Sequence, residues 1–279
     1  MTALFVISQF MLVTVFTSCE DKLDIIPKGK VTLATVDELE LLLNQEYLLG
    51  DFPSDNIGIL AGESVGTFDQ ISAVLSQKNT VKYALMAFDE SVDRATLTTV
   101  DERYNNIYKY INYMNTVIAK MDKATGDESK KSALVAEARV MRAWFHFLAV
   151  VIHAPQYDAS IAENAGGIAY VTNIDVTEQK SKLSLASTFQ HILDDCSDQV
   201  IQLLPQDHGD QFMRGDRAWG NAVRAMVLFQ MKRYTEALPY AMEAIRLRPH
   251  IFDRSVIKQT GEWIQGAEST NNFLYIGGA

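Results

Sequence analysis

Cysteine is nearly absent from this chain: its 279 residues hold two, Cys19 and Cys196. So few cannot build a disulfide framework, and an exported form of the protein would owe its stability to a buried core. Cations are short as well, with 25 Lys plus Arg against 35 Asp plus Glu and a net charge of −10. Phosphate binding depends on clustered Lys and Arg, so this balance argues against nucleic acid as a partner. No apolar run is clean enough to cross a bilayer. The longest, Thr2 to Ser18, falls short of the about 20 residues a span needs and is interrupted by Ser8, Gln9, Thr14 and Thr17. What remains is ordinary globular composition, 48% hydrophobic and 22% charged, which suits a sizeable core and argues against disorder.

The apolar run ends in the small residues Thr17 and Ser18 directly before Cys19, and the acidic stretch Glu20-Asp21-Lys22-Leu23-Asp24 follows. This is the form of a bacterial lipoprotein signal peptide, although no Lys or Arg precedes the run. A thiolate is the nucleophile that takes up a diacylglyceryl group, and small residues fit a signal peptidase cleft. Cys19 is therefore expected to become the lipid-bearing N-terminus, labelled by palmitate. Residues 1–18 read as signal peptide, 19–35 as a tether containing Pro27 and Gly29, and 36–279 as the folded domain.

Within that domain the dominant period is helical. Thr35 with Glu38 has the spacing of a capping box and predicts a helix from Val36 to about Leu48. Residues 50–90 carry Gly, Pro, Ser and Asp at short intervals, which predicts a long irregular segment with one helix near Phe68 to Ser76. From Asp101, the stripe Tyr104, Ile107, Tyr108, Ile111, Met114, Asn115 and Ile118 predicts a long helix that ends at Thr125-Gly126-Asp127. A helix that is apolar on most sides, Ser132 to about Val151, reads as central. After a Gly- and Asn-rich loop, His153 to Lys182, a single helix is expected from Ser184 or Ser187 through Leu204, stopped by Pro205. Two more follow, Asp216 to Lys232 and Tyr234 to Leu247, the second closed by Pro249. In that last pair Ala225, Leu228, Tyr234, Ala237, Ala244 and Pro249 match tetratricopeptide positions, with Asn221, Ala225 and Ala241 standing where other residues are favoured. The expected fold class is all-α, with tetratricopeptide-like repeats packed into a compact domain that carries long irregular loops.

Catalytic patterns do not assemble. Ser255-Val256-Ile257-Lys258 and Ser54-Asp55-Asn56 have the form of β-lactamase elements but come in the wrong order without a Lys-Thr-Gly. His146 and His153 are seven apart rather than four, so no metal site is expected. Asp194 and Asp195 are adjacent and diverge on a helix. Gly166-Gly167 lacks the third glycine of a phosphate loop. Glu137, Arg139 and Arg142 sit on the most apolar helix and require partners if buried; Glu137 is expected to pair with a Lys of a neighbouring helix or to cap a backbone turn. No enzyme activity and no cofactor is expected.

Taken together, Cys19-Glu20-Asp21-Lys22-Leu23-Asp24-Ile25-Ile26-Pro27, Tyr104-Asn105-Asn106-Ile107-Tyr108, Glu137-Ala138-Arg139-Val140-Met141-Arg142-Ala143, Gly167-Ile168, Thr188 to Asp195 and Leu203-Leu204-Pro205 resemble the SusD/RagB family of outer-membrane nutrient-binding lipoproteins. The resemblance implies a lipid-anchored module on the exterior face of the outer membrane. Such a module binds oligosaccharides or similar nutrients and passes them to a TonB-dependent, SusC-like transporter. It also implies a chain about twice as long, so 36–279 reads as an incomplete, N-terminal half that folds as a helical body but holds only part of a ligand site. His153-Ala154-Pro155 stands where the family has a Tyr-Gly turn. Apolar sugar faces stack on aromatic rings while hydroxyls seek amides and acids, which makes Tyr83, Phe88, Tyr104, Asn105 and Trp263 the candidate ligand contacts; burial in a core is the commoner fate of each aromatic. The alternative reading is a helical scaffold that binds another protein without any small-molecule role.

Overall fold

The computed structural model describes residues 33–47, 67–97 and 101–249, apart from 176, 210 and 212. Cys19, Trp263, the signal peptide, almost all of the tether and Leu48 lie outside the described residues. The chain divides into two compact units, Met1–Leu33 and Ala34–Ala279, and the helices described here belong to the second. Among the described residues that unit is all-α, with two isolated bridges, Thr35 to Thr125 and Gly166 to Ser184, and no strand.

The helices are α1 (Val36–Leu41), α2 (Phe68–Leu75), α3 (Val81–Met86), α4 (Arg94–Leu97), α5 (Glu102–Lys120), α6 (Glu128–His153), α7 (Leu185–Asp195), α8 (Asp198–Leu203), α9 (Arg217–Gln230) and α10 (Tyr234–Leu247). α6 is the centre. Ala138, Val140, Ala143, Phe145, Ala149 and Val150 are each 2% exposed or less, and α5, α7, α8 and α9 pack around it. Burial of such side chains contributes about 1.5 to 3 kcal/mol each for the larger ones, which is why the helix tolerates charged residues in its interior at all.

Local chemistry sets the boundaries, and four differ from expectation. α1 has its capping box, Thr35 with Glu38, but stops at Leu41. The amide of Gln45 and the hydroxyl of Tyr47 both donate to the carbonyl of Leu42, at 2.7 and 2.8 Å, which turns the chain away from further helix. The segment 50–90, read as irregular with one helix near Phe68 to Ser76, contains that helix as α2 and a second, α3, and α4 follows it at Arg94. α6 begins at Glu128, four residues early, because Asp127 accepts from the Ser129 N–H and serves as its N-cap. Gly126 makes that turn at φ +135°, a backbone angle that suits glycine alone. The single helix expected through Leu204 is broken at Cys196 into α7 and α8. There the guanidinium of Arg224 on α9 donates 3.0 Å bonds to the carbonyls of Leu193 and Cys196, satisfying the end of α7 from a distant element.

Of the six repeat positions, three are buried in α9 and α10, while Tyr234 and Pro249 are exposed and Ala244 is half-buried. The buried three are Ala225 and Leu228 on α9 and Ala237 on α10. Asn221 is buried too, and its amide donates to the carbonyl of Arg217.

Candidate functional site

Two polar networks run through the core of this unit and fix its long loops. In the first, Arg142 donates from Nε and Nη2 to both oxygens of Asp195 at 2.6 and 2.8 Å, and from Nη1 to Oδ1 of Asn115 at 2.8 Å. Asp195 also accepts from Arg139 Nε at 3.0 Å and from the Tyr170 hydroxyl at 2.6 Å. Burial alone would raise the Asp195 carboxyl, but Arg142 overrides it and holds the group below the usual carboxylate range. Asn115 in turn donates to the carbonyls of Val171 and Asn173, and Tyr108 donates to the carbonyl of Ala169. His146 completes the frame. Its Nε2 accepts from the Val171 N–H at 3.0 Å, so Nδ1 carries the proton and donates to the Arg142 carbonyl at 2.9 Å. Burial pushes this imidazole down to about 3 and keeps it neutral.

The second network centres on Glu137, which accepts from Nε and Nη2 of Arg214 at 2.9 and 2.8 Å and from the Gly215 N–H at 2.8 Å. Arg214 also donates to Glu40 at 2.8 Å. The partner of Glu137 is thus an arginine on a loop rather than a lysine on a helix, and the same carboxylate caps a backbone turn. The three charges singled out on α6, Glu137, Arg139 and Arg142, are thus each engaged by a partner of opposite charge. Gly167, read beside Gly166 as a poor phosphate loop, is there for contact. A Cβ on it would lie 2.3 Å from the Thr188 hydroxyl. No group of His, Cys, Asp and Glu among the described residues could hold a metal ion. No helix among them is long and apolar enough to cross a membrane.

The sequence-derived ligand contacts fall in two places. Tyr83 and Phe88 lie on and just after α3. Tyr83 is half-buried, while Phe88 is 72% exposed. Phe88 also adopts φ +51°, the left-handed position that ends α3, where its N–H bonds the Leu85 carbonyl and that of Asp89 bonds the Ala84 carbonyl. Tyr104 and Asn105 open α5. The Tyr104 ring meets His153 edge-on at 5.0 Å and Tyr108 at 4.6 Å, whereas Asn105 is exposed. No hydrogen bond or ring contact joins the first pair to the second. Sequence reasoning placed a helix start at Phe68 but did not name it among the ligand contacts, and its ring is 82% exposed. Thr67 and Gln70 around it form the capping box that starts α2.

It also missed a hollow of about 220 Å3 bordered by Tyr47, Trp144, Phe145, Met213, Arg214 and Trp219. This is below the roughly 300 to 1,000 Å3 of sites for drug-sized ligands and holds one ring or one large side chain. Its polar groups are already engaged: Arg214 with two carboxylates, the Gly215 N–H with Glu137 and the Tyr47 hydroxyl with Leu42. A buried hydroxyl left without a partner costs about 1 to 3 kcal/mol, so the hollow suits an apolar group better than a sugar.

Comparison with known proteins supplies the frame for these features. Residues 55–218, more than half of the chain, match the model of a SusD-like family described as starch-binding and associating with the outer membrane. No curated protein matches the chain. Among solved structures, a SusD-like carbohydrate-binding protein of Bacteroides vulgatus is similar with a TM-score of 0.56 and 15% identity, covering 80% of this chain and 47% of that one. A SusD superfamily protein of Bacteroides thetaiotaomicron gives 0.55 and 19%, covering 76% and 46%. A laminarin-binding SusD-like protein gives 0.51 and 14%, covering 76% and 43%. At these identities the likeness is one of fold, and the chain spans about half the length of the structures it matches.

Proposed function

Because this chain belongs to the SusD-like family of starch-binding proteins that associate with the outer membrane, we propose that it is a non-enzymatic module that captures glucose polymers at the cell surface. The family match over residues 55–218 carries the reading. The structure supports it with outward-facing rings on the segment before α5, Phe68 and Phe88, on a body whose two central ion pairs, Arg142 with Asp195 and Arg214 with Glu137, hold its shape. In this reading Phe88 stacks on the apolar face of a sugar, as aromatic rings do, with Tyr83 beside it, and Asn105 and Tyr104 supply a second, polar contact. The lipid on Cys19 holds the module at the outer face of the outer membrane, and a TonB-dependent, SusC-like transporter takes the oligosaccharide from it. Starch and laminarin, both glucans, are the first ligands to try, since a family description and a structural relative name them.

Affinity electrophoresis through gels containing soluble starch or laminarin detects weak binding and suits a chain that holds part of a site. The native chain should be retarded by at least one glucan, and Phe88→Ala should lose most of the retardation while its circular dichroism is unchanged. Equal mobility of native chain and variant in every glucan gel would overturn the assignment of Phe88. No retardation of either would overturn glucan capture by this chain.

A further inference from the structure

Two of the chain's three tryptophans, Trp144 on α6 and Trp219 on α9, border the hollow of about 220 Å3, which glucan capture leaves unused. The hollow is open to solvent: Met213 at its edge is 42% exposed, and Tyr47, Trp144 and Trp219 are half-buried. Its walls are fixed beforehand. The Tyr47 ring stands edge-on to Phe145 at 5.3 Å and to Tyr110 at 5.0 Å. Trp219 lies against the bare backbone of Gly215, where a Cβ would come 2.7 Å from the indole. A preformed hollow loses little freedom on taking a ligand.

Size and chemistry narrow the occupant. An apolar cavity of about 150 Å3 stays dry and takes up benzene, so this one accommodates a six-membered ring with a short substituent. Water is a poor filler, since it needs about two to four polar partners and those at the walls are engaged. Four of the bordering side chains are aromatic, Tyr47, Trp144, Phe145 and Trp219, and two are methionines, Met141 and Met213. Rings and thioether sulfurs attract another ring beyond what its area alone gives, a gain that an alkane of equal size does not receive. The Arg214 nitrogens Nε, Nη1 and Nη2 already donate to carboxylates, which leaves the guanidinium its flat face, and such faces stack on rings. A charged ligand does not fit. Arg214 and Lys130 stand against Glu137 and Glu40, with Lys130 3.1 Å from Glu40, so these four charges balance. An anion would have to draw Arg214 from its carboxylates, and a cation would meet the guanidinium at the wall.

We propose that this hollow is a binding site for a small neutral aromatic molecule, a single six-membered ring with a short uncharged substituent. Glucans carry no such ring, so the site is separate from the outward rings of Phe68 and Phe88 and takes a second class of ligand.

Fluorine NMR of 4-fluorobenzyl alcohol tests this on the whole chain. The native protein should broaden the probe's resonance saturably. Benzyl alcohol should displace the probe, cyclohexylmethanol should do so at least tenfold less well, and methyl glucoside should not do so at all. Met213→Trp, which puts an indole into the hollow from its exposed edge, should weaken probe binding at least tenfold, with circular dichroism and retardation in glucan gels as in the native chain. Trp219→Leu removes a wall and should weaken the probe at least fivefold, which keeps the test decisive if the first variant does not fold. No saturable broadening by the native chain overturns the proposal. So does undiminished binding by a folded Met213→Trp chain, which puts the probe elsewhere, and so does equal displacement by cyclohexylmethanol, which makes the hollow a general apolar site. Joint loss of probe and glucan binding in folded Met213→Trp overturns the separation of the two sites. Probe binding by a native chain that no glucan gel retards upholds the aromatic site while glucan capture falls.

Discussion

Between Glu102 and Leu247 each helix gives at least one side chain to a common core and the buried charges are paired. Between Thr67 and Leu97 three short helices bury only Ala84 and Leu85 among their described side chains, while Phe68 and Phe88 face outward. The same chain thus contains a body that spends its polar groups on holding shape and a segment that leaves its rings uncovered. Stability should reside in the first and recognition in the second. Exposed rings cost the fold little, and binding needs them free.

The sharpest way to break this division is at Arg142. Arg142→Leu leaves Asp195 buried with its bidentate partner gone, and removal of one member of a buried pair costs about 3 to 5 kcal/mol. Urea unfolding should show that loss, and the combined Arg142→Leu, Asp195→Leu variant should regain much of it. An Arg142→Leu protein as stable as the native one would mean the network is ornamental.

Next in size is the contact between the repeat helices. Ala237 is 5% exposed where α10 meets α9, so Ala237→Phe should overpack it at a cost of about 1 to 3 kcal/mol. Chemical denaturation measures this. No loss would place residue 237 on the surface and the repeat out of register.

Acid probes the same body without mutation. His146 has a folded value of about 3 against about 6.5 unfolded. Below pH ~6.5 the unfolded chain takes up a proton that the folded chain refuses. Its contribution is therefore fully present above ~6.5 and is lost at about 1.4 kcal/mol per pH unit as pH falls toward 3. Asp195, held low by Arg142 against the effect of burial, adds its own loss only below the ordinary carboxylate range. Unfolding midpoints from pH 7 to pH 4.5 should fall in the native protein and fall less steeply in His146→Gln.

The division also explains what could be read in advance. The helical stripes of α5, α6, α9 and α10 show in the sequence because one period serves a whole element, and the capping box of α1 is a local pattern. Cys196 looks like mid-helix, because what ends α7 is Arg224, 28 residues further on. Arg214 gives no sign that it will meet Glu137, 77 residues earlier. Among candidate ligand contacts, the sequence could name aromatic types but not their exposure. Phe88 points outward, whereas Tyr104 is half-buried against His153 and Tyr108. The hollow beside Trp144 and Trp219 draws on residues from 47 to 219, and no local pattern announces it.

The smallest effect is the most discriminating, because at Phe88 stability and recognition should move in opposite directions. Its φ of +51° is a left-handed angle that costs a side-chain-bearing residue about 1 to 2 kcal/mol, and glycine is the usual occupant of such a helix-ending position. The ring is 72% exposed and so returns little by burial. Phe88→Gly should therefore raise stability by about 0.5 to 1 kcal/mol, the strain relieved less the extra freedom glycine gains in the unfolded chain. Retardation in glucan gels should fall in the same variant. Lys232 is the control, since it ends α9 at φ +61° in the same arrangement, and Lys232→Gly should gain a similar amount with retardation unchanged. If Phe88→Gly binds glucan as the native chain does, the outward ring is not a contact. If it is instead destabilised, the ring packs on something the exposed segment needs, and the separation of shape from recognition fails at that residue.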